Sequence, residues 1–365
     1  MLYFCRNKLK TKMKRFCILI CGLIWCLCGW PQQTDTLHKI MFYNVENLFH
    51  PSDDSLKADD DFTPTGSYHW TYKKYYRKIA MIGKVIVAAG MGDPPWLVGL
   101  AEIENERVLK DLCYNSPLRK YRYRFVHYDS PDRRGVDVAM LYRDSCVSIL
   151  RSRKIPVVFP FDTFARNRDI LYAVVKFPSG DSLHVFVNHW TSRYGGYAAT
   201  VPKRNWYASV VRRCVDSLMA ENPRAKILIT GDFNDYPTDE SMADFLRVRE
   251  YGLTHPRDTL YNLMLPLARQ SLRGSHKHED FWGCLDQFVV SDAWLTDTAG
   301  VRQVGGAEIF DAEFLLVDDE KYGGKKNFRT FLGPRYIGGF ADHLPVYVRF
   351  RDGNDFGKEN ACRCP

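Results

Sequence analysis

The sequence of 365 residues lacks internal repeats, low-complexity tracts and any linker strong enough to divide its central part into two domains. The first two absences exclude a repeat protein and a compositionally biased chain. Aromatic residues make up 14% and hydrophobic residues 45% of the chain, which argues against disorder and suffices for one large core or two small ones. The composition therefore indicates a globular protein.

Acidic residues are absent from the first 30 positions. The basic residues of this segment are Arg6, Lys8, Lys10, Lys12, Lys14 and Arg15. Because the whole chain carries a formal net charge of +8, these six charges leave only +2 for the remaining residues. A nearly neutral body gives little support for nucleic-acid binding from charge alone.

The same N-terminal segment has the pattern of a targeting signal. Lys14 and Arg15 precede an unbroken apolar run at positions 16–30, which is short for a membrane span and typical of the hydrophobic region of a signal peptide. We therefore predict that residues 1–30 are an N-terminal extension and signal peptide, with Met13 as a candidate true start. The protein is expected to be exported to the periplasm or the medium. The alternative is an uncleaved segment that anchors the protein in the membrane.

Structural zinc sites are not indicated. The cysteines after position 30 are Cys113, Cys146, Cys214, Cys284, Cys362 and Cys364, an even number that allows disulfides in an oxidising compartment without fixing their pairing. Cys362 and Cys364 have the wrong spacing for a zinc knuckle and no second pair nearby. His276 and His278 lack an obvious third ligand, which disfavours a zinc hydrolase.

Short apolar runs recur along the chain, and each has polar residues of catalytic type at one end. The runs at 38–43, 96–101, 183–187 and 226–230 are followed by such residues, and the runs at 288–290 and 344–350 are preceded by them. The polar residues are Asn44, Glu46, Glu102, Asn188, His189, Asp232, Asn234, Asp286, Asp342 and His343. Strand ends at one edge of a sheet converge in space, so we expect these residues to form one site.

Helices are predicted between these strands. Residues 73–89 and 205–220 place apolar residues at helical spacing, the first with basic residues on its other face. A shorter helix is predicted at 239–249, with Thr238 or Asp239 as its N-cap. Strands and helices alternate irregularly, which favours a mixed α/β layered sandwich over a doubly wound parallel sheet. Surface loops are expected at 51–68 and, over the site, at 311–335.

The order and rough spacing of these motifs resemble the endonuclease/exonuclease/phosphatase superfamily. The matching motifs are Asn44-Val45-Glu46-Asn47, Glu102, Gly231-Asp232-Phe233-Asn234, Asp286 and Asp342-His343. The resemblance implies a single domain over residues 31–352, followed by a C-terminal tail at 353–365. Its implied fold is a four-layer sandwich of two mixed, largely antiparallel β-sheets flanked by helices. The implied cofactor is Mg²⁺, with Mn²⁺ as a substitute.

The chemistry of phosphoester hydrolysis explains this set of residues. Water attacks an anion, so catalysis needs a positive centre, a base and a fixed in-line geometry. A hard cation such as Mg²⁺ takes oxygen ligands and needs only one or two carboxylates. By resemblance, Glu102 is a metal ligand, and Asn44, Glu46 and Asp342 lie in or beside the metal shell. The alternative for Glu102 is an exposed turn carboxylate.

The resemblance also implies roles for the remaining residues. Asp232 would orient and deprotonate the attacking water, and Asn234 would hold the water or the phosphate; an Asx turn is the structural alternative for this pair. His343 would donate to a phosphate oxygen, with Asp286 accepting from its other ring nitrogen. His189 is a candidate general acid for the leaving oxygen, although an isolated histidine is more often structural.

Arg143 and Arg193 are candidates for bidentate phosphate contacts, and solvated surface arginines are the alternative.

The closest likeness is to bacterial extracellular-nuclease-like members, in the motifs at 44–49, 102–105 and 187–189. The expected function is therefore a secreted nuclease whose partner is a nucleic-acid phosphoester. A phosphatase or phosphodiesterase for lipid or sugar phosphates is the alternative. A binding protein with a dead site is disfavoured, since the catalytic residues are present. No stable protein partner is implied. Contact with a membrane is expected only if the N-terminal segment stays uncleaved.

Overall fold

The computed structural model describes residues 37–252, 259–270, 273–298 and 300–353. The predicted signal peptide with Met13 and all but the first residue of the predicted tail at 353–365 lie outside the described residues. Within the described part of the chain, no helix is both long enough and apolar enough to cross a bilayer. In this part of the chain, Cys113, Cys214 and Cys284 are free thiols.

Strands make up most of the regular structure. In chain order they are β1 (His38–Leu48), β2 (Leu97–Ile103), β3 (Tyr123–His127), β4 (Asp137–Arg143), β5 (Ser148–Ile155), β6 (Ile170–Lys176), β7 (Ser182–His189), β8 (Ile227–Asp232), β9 (Val248–Arg249), β10 (Leu260–Asn262), β11 (His276–His278), β12 (Phe281–Gly283), β13 (Asp286–Ser291), β14 (Arg302–Ile309), β15 (Leu316–Asp318), β16 (Lys325–Asn327), β17 (Phe331–Leu332), β18 (Arg335–Tyr336) and β19 (Val346–Arg351).

The long strands form two large mixed sheets. The first has the order β14-β19-β1-β2-β4-β3 and the second the order β5-β6-β7-β8-β13-β10-β9. Only β1–β2, β7–β8 and β9–β10 pair in parallel among the described strands, and the other pairs in these sheets are antiparallel. Three hairpins, β11–β12, β15–β16 and β17–β18, complete the described strands. The predicted largely antiparallel sheets are confirmed.

The two sheets pack face to face, and Gly99 of β2 lies at their interface. A Cβ at this position would lie 3.3 Å from Val187 Cγ1 of β7 and 3.5 Å from Thr230 Cγ2 of β8. The central strands are buried on both faces, which explains why their sequences are continuous apolar runs instead of alternating ones.

Helices cover the outer faces. They are α1 (Tyr72–Gly90), α2 (Glu106–Tyr114), α3 (Tyr197–Glu221) and the short α4 (Leu265–Ala268) and α5 (Asp292–Thr296). Helix α1 contributes Ile79, Ile82, Val85 and Ile86 to the core of the first sheet, and its N-cap Thr71 accepts a hydrogen bond from Lys74 N. Helix α3 packs Val211 and Val215 against Phe186 of the second sheet. The layers are thus helix, sheet, sheet and helix, as predicted.

Three details of the predicted elements are wrong. The helix expected at 239–249 is only a π-helical turn, Ser241–Phe245, followed by strand β9. Asp239 does not cap a helix, because its carboxylate accepts from the Tyr236 amide and from Arg193. Lys78 does not lie on an exposed basic face of α1 but is 1% exposed. The segment 311–335 is not one loop, since it contains β15 to β17 and the start of β18.

Gly231 precedes Asp232 at the end of β8 and pairs with Asn188 of β7. A Cβ at Gly231 would lie 2.3 Å from the backbone oxygen of Asn188. We expect Gly231→Ala to lower the free energy of unfolding by about 2 kcal/mol or more, because the strands must separate. Urea denaturation measures the change. Gly306→Ala, with no heavy atom within 4 Å of its added Cβ, is the matched control. Equal effects of the two substitutions would contradict the steric explanation.

Candidate active site

Strand pairing brings the predicted residues to one edge of the two sheets. Asn44 of β1 pairs with Ala101, directly before Glu102, and the two strands are parallel. His189 of β7 pairs with Asp232 of β8, also in parallel. Strand β13 is antiparallel to β8 and begins at the same edge, where Asp286 pairs with Asp232. Each strand therefore contributes one polar side chain at the same level.

The last two residues reach this edge from the other direction. Strand β19 runs antiparallel to β1, with Val346 opposite Phe42, so the residues before β19 lie beside the end of β1. Asp342 and His343 occupy these positions. The Leu344 amide donates to Ser275 O at 2.7 Å, which fixes this short segment against the β11 region.

Asp232 lies at the centre of the cluster. Its Oδ2 accepts from Asn44 Nδ2 at 3.0 Å and lies 3.7 Å from both His189 Nε2 and His343 Nε2. Its Oδ1 accepts from the amide of Asn234 at 2.9 Å. Burial raises the pKa of Asp232 to about 7; the His343 charge opposes this rise, and that of Asp286 adds to it.

His343 and Asp286 form a buried pair. His343 Nδ1 and Asp286 Oδ2 are 2.7 Å apart, and Asp286 is fully buried. Burial disfavours the imidazolium, but the carboxylates of Asp286 and Asp232 outweigh it and raise the pKa of His343 well above its usual range. His343 is thus held as a cation, with its Nε2 directed towards Asp232.

His189 has the opposite electrostatic setting. Its Nε2 lies 3.9 Å from Glu102 Oε1, and its Nδ1 is buried without a hydrogen-bond partner in the described part of the chain. Burial lowers the pKa of His189 well below its usual range, and the charges of Arg168 and Arg134 lower it further. Its resting form is therefore the neutral imidazole, which interacts through a single N–H.

Several residues at this edge adopt left-handed backbone conformations. Glu46 (φ 55°), Asn47 (φ 49°), Glu102 (φ 65°) and Asn234 (φ 51°) do so, although none is glycine. The β1–β2 register shifts between Asn44 and Leu48, as is common beside active sites. Asn234 Nδ2 also donates to Trp190 O at 3.1 Å, so the Asx turn that was the structural alternative is present.

The oxygen donors at the edge suit a divalent cation. Glu102 Oε2 accepts from the Asn47 amide at 2.7 Å, while its Oε1 has no hydrogen-bond partner among the described residues. The Glu102 side chain is 14% exposed and that of Asp342 22% exposed, so both carboxylates are accessible to solvent. Hard cations prefer such oxygens, and the donor set fits Mg²⁺ or Mn²⁺.

The carboxylate of Glu46 is bound by residues of the segment around Arg329. Its Oε2 accepts from the Thr330 amide at 2.6 Å, and its Oε1 lies 3.3 Å from Arg329 Nε. Burial raises the pKa of Glu46 to about 7, and Asp342 adds to the rise. The structure thus uses the Glu46 carboxylate to fasten the segment around Arg329.

Two cations around Glu46 were not singled out from the sequence. Arg329 Nη2 donates to Asp342 at 3.0 Å, so its guanidinium bridges two acidic residues, and no motif surrounds it. Lys78 donates to the Glu46 carbonyl and, at 2.6 Å, to Thr330 Oγ1. Lys78 lies four positions before Ile82 on the apolar stripe of α1, which is a signal that it faces inwards.

His276 also has neighbours that the sequence did not show. Its ring centroid lies 4.8 Å from that of His343, and Asp342 completes a group whose ligand-type atoms lie within 4.8 Å of one another. Burial lowers the pKa of His276 to about 3, so it is a neutral histidine beside the cationic one.

Arg143 is not brought to the cluster. Strand β4 runs antiparallel to β2, with Asp137 beside Ile103, so Arg143 lies at the opposite edge of the sheet. It is 1% exposed, and its Nη1 donates to Asp93 Oδ1 at 2.5 Å and to Pro94 O at 3.1 Å. The arginine is neither at the site nor on the surface.

Arg193 borders the cluster but is occupied. Its Nε donates to Asn234 O at 2.7 Å, and its Nη2 donates to Asp239 at 2.7 Å. The guanidinium also lies 4.1 Å from the ring centroid of Tyr236. These contacts hold the loop after Asp232 in place, so Arg193 acts on the geometry of that loop.

Arg134 is an exposed arginine near His189, in addition to the buried Arg168. Its amide donates to Asp132 Oδ1 at 3.0 Å, and Asp132 Oδ2 pairs with Arg168 at 3.1 Å. Arg168 in turn donates to the backbone oxygen of His189 at 2.9 Å. The Arg134 side chain is exposed and forms no ion pair with a described residue. It lies just before β4, in a turn that the sequence marks by Pro131, Asp132 and Gly135.

The position of Arg143 leads to a test. We expect Arg143→Gln to lower the melting temperature, because the protein loses the hydrogen bonds from the buried guanidinium to Asp93 and to Pro94 O, which together contribute about 1–2 kcal/mol to the free energy of unfolding. The Michaelis constant for a phosphoester should stay unchanged, since the residue lies at the far edge. Thermal denaturation and steady-state kinetics measure the two effects, with the exposed Arg122→Gln as control. A raised Michaelis constant without a loss of stability would contradict this placement.

The fold agrees with that of solved structures. D. rerio TDP2 in complex with a single-strand DNA product matches with a TM-score of 0.51, 17% identity, and coverage of 87% of this chain and 100% of that one. An endonuclease/exonuclease/phosphatase family protein from Bacteroides thetaiotaomicron matches with a TM-score of 0.51 and 16% identity, and the match covers 86% of this chain and 98% of that one. A mannosyl-6-phosphatase from the same organism matches with a TM-score of 0.50 and 16% identity, and the match covers 86% of this chain and 99% of that one.

Comparison with curated protein sequences finds no match. The model of the Endonuclease/Exonuclease/phosphatase family matches residues 39–352, which include every strand that contributes to the cluster. The fold, the order of the motifs and this match agree, and the chain belongs to the endonuclease/exonuclease/phosphatase family, a family of phosphoester hydrolases.

Proposed function

We propose that this protein is a divalent-metal-dependent hydrolase of phosphoester bonds, acting as a nuclease on phosphodiesters. The observation that carries the proposal is the arrangement around Asp232. One buried carboxylate faces a cationic histidine, a neutral histidine and an asparagine, next to two carboxylates with accessible oxygens. This arrangement supplies a base, a proton donor and metal ligands within one edge of the sheets.

Asp232 is the proposed base for the attacking water. Asn44 donates to one of its oxygens and the Asn234 amide to the other, so the carboxylate orientation is fixed before substrate arrives. A pKa raised to about 7 makes this carboxylate a stronger proton acceptor than an ordinary aspartate.

His343 is the proposed donor to a phosphoryl oxygen. Asp286 holds its Nδ1 and keeps it protonated, and its Nε2 is then an N–H donor at the site. Such a preorganised donor stabilises charge that develops on the phosphoryl group. A divalent cation bound by Glu102 and Asp342 would supply further positive charge for this anion.

Nucleic acid is the proposed substrate and the exported state the proposed location. The TDP2 structure was solved with a DNA product, which supports a nucleic-acid strand in this fold. Export rests on the N-terminal sequence pattern alone. The mannosyl-6-phosphatase with the same fold favours a sugar phosphate as the second candidate substrate.

The primary test is metal-dependent turnover. We expect the protein from residue 31 onwards to cleave plasmid DNA or bis-p-nitrophenyl phosphate with Mg²⁺ or Mn²⁺, and EDTA to abolish the cleavage. Asp232→Asn keeps the side-chain shape but removes the base, so turnover should fall about 100-fold or more at an unchanged melting temperature. Inactivity of the folded protein on DNA, RNA, sphingomyelin and sugar phosphates with metal present would refute the proposal.

Adjacent arginines offer a second test. Arg134 belongs to the turn held near His189, and we expect Arg134→Gln to raise the Michaelis constant about tenfold through the loss of a charge-assisted phosphate contact. Arg133→Gln is the matched control, since it removes the same charge from the neighbouring exposed position. Steady-state kinetics on the chromogenic diester compares the two. Equal effects would show that only the net charge matters.

A further inference from the structure

A cavity of about 500 Å³ lies on the opposite face of the second sheet from the inter-sheet core. It is bounded by β5, β6 and β7 on one side and by α3 on the other. Side chains alternate along β7, so Phe186 faces this cavity while Val187 faces the other sheet. None of the residues around Asp232 lines the cavity, which is therefore distinct from the candidate active site.

Three arginines from two elements line this cavity. Arg151 and Arg153 are two positions apart on β5 and share one face of that strand, and Arg213 lies on α3. None of the three forms an ion pair with a described residue. Glu221 is the sole acidic residue among those that line the cavity. Three guanidinium groups around one cavity repel one another, and an anion between them would relieve this repulsion.

Two of these arginines are held by aromatic rings. The Arg153 guanidinium lies 5.4 Å from the ring centroid of Tyr172, and that of Arg213 lies 5.0 Å from the ring centroid of Trp206. A cation–π contact with a ring restrains a guanidinium, and its N–H groups can still donate to an acceptor. Arg153 and Arg213 are therefore restrained beside the cavity before a ligand binds.

The floor of the cavity is apolar. Tyr172 is 4% exposed and Phe186 is fully buried, and the Tyr172 hydroxyl is hydrogen-bonded to His184 Nδ1 at 2.7 Å. The cavity volume lies in the range of sites for small organic ligands, about 300–1,000 Å³. An inorganic anion alone would leave much of this space unfilled, so the cavity suits an anionic group attached to an organic body.

The titration behaviour of two neighbours agrees with a concentration of positive charge. Burial lowers the pKa of His184, and the charge of Arg151 lowers it further. Burial raises the pKa of the Cys214 thiol, against the opposing charges of Arg153 and Arg213. Cys214 itself lines the cavity and is half-buried, so its thiol lies within reach of both arginines and of a bound ligand.

We infer that this cavity is a second binding site, which takes a phosphate ester of nucleotide size. The phosphate contacts Arg151, Arg153 and Arg213, and the organic body lies against the half-buried Leu218 and the edge of Tyr172. The ligand is either a free mononucleotide or one nucleotide of a strand, because the phosphate and its attached ring are common to both. Binding at this site needs no catalytic turnover.

Alkylation of Cys214 reports on the site directly. The full chain is treated with a maleimide in EDTA, and the labelling rate of the Cys214 peptide is followed by mass spectrometry with and without AMP. At AMP concentrations about ten times its dissociation constant, labelling should slow about tenfold. A short single-stranded oligonucleotide forms the second arm and distinguishes a strand from a free nucleotide. Adenosine, which lacks the phosphate, should give no protection.

Charge-neutral variants locate the contact. Arg151→Gln with Arg153→Gln should raise the AMP concentration needed for protection by more than about tenfold, since both charge-assisted contacts are lost. Arg119→Gln with Lys120→Gln removes two exposed charges from the turn at Pro117–Tyr121, outside the cavity, and should leave protection unchanged. If the double variant fails to fold, Arg213→Gln alone tests the same contact from α3.

Three results would overturn the inference. They are unchanged Cys214 labelling with AMP and with the oligonucleotide, equal protection by adenosine, and loss of protection in the Arg119/Lys120 variant. Because the assay runs in EDTA, it separates this site from the proposed hydrolase function. Protection without any turnover in metal would reject the function and keep the site, and turnover without protection would do the reverse.

Discussion

The buried carboxylate of Asp232 is the group on which the geometry of the candidate site depends. An ion buried without partners costs several kcal/mol, so its surroundings must supply donors from every side. Asn44 of β1, the Asn234 amide and the cationic His343 meet this requirement. His343 is in turn kept charged by Asp286. The stabilisation of one charge thus fixes the relative positions of residues that are far apart in sequence.

This arrangement requires two sheets whose central strands end at one edge. The parallel pairs β1–β2 and β7–β8 bring carboxyl ends together, and the antiparallel β13 and β19 begin where those pairs end. Small residues such as Gly99 and Gly231 permit the close approach of the sheets and of β7 and β8. Left-handed residues at the strand ends then turn the polar side chains towards the cluster, at a cost that the buried contacts offset.

A second group of charged residues connects the first sheet to the segments that surround the site. Glu46, Arg329, Asp342 and Lys78 link β1, helix α1 and the segment before β17 through hydrogen bonds and ion pairs. Glu46 is therefore a structural neighbour of the metal-binding candidates, because its oxygens are used by backbone amides and by Arg329. Arg193 holds the loop after Asp232 in position through its hydrogen bonds to Asn234 O and Asp239. Some charged residues near the candidate site are thus available for catalysis or metal binding, and others hold the surrounding segments in position.

The sequence by itself determined the central strands, the order of the motifs, the family and the residues that meet at the edge, because continuous apolar runs bordered by Asn, Asp or His are local patterns. It did not determine where Arg143, Lys78 or Arg134 lie. The antiparallel register of β4 sends Arg143 to the far edge, and burial by packing turns Lys78 inwards. Only the tertiary structure decided these positions, since the direction of a charged side chain depends on partners from distant segments. The same reason applies to the arginine-lined cavity, whose walls come from β5 and α3.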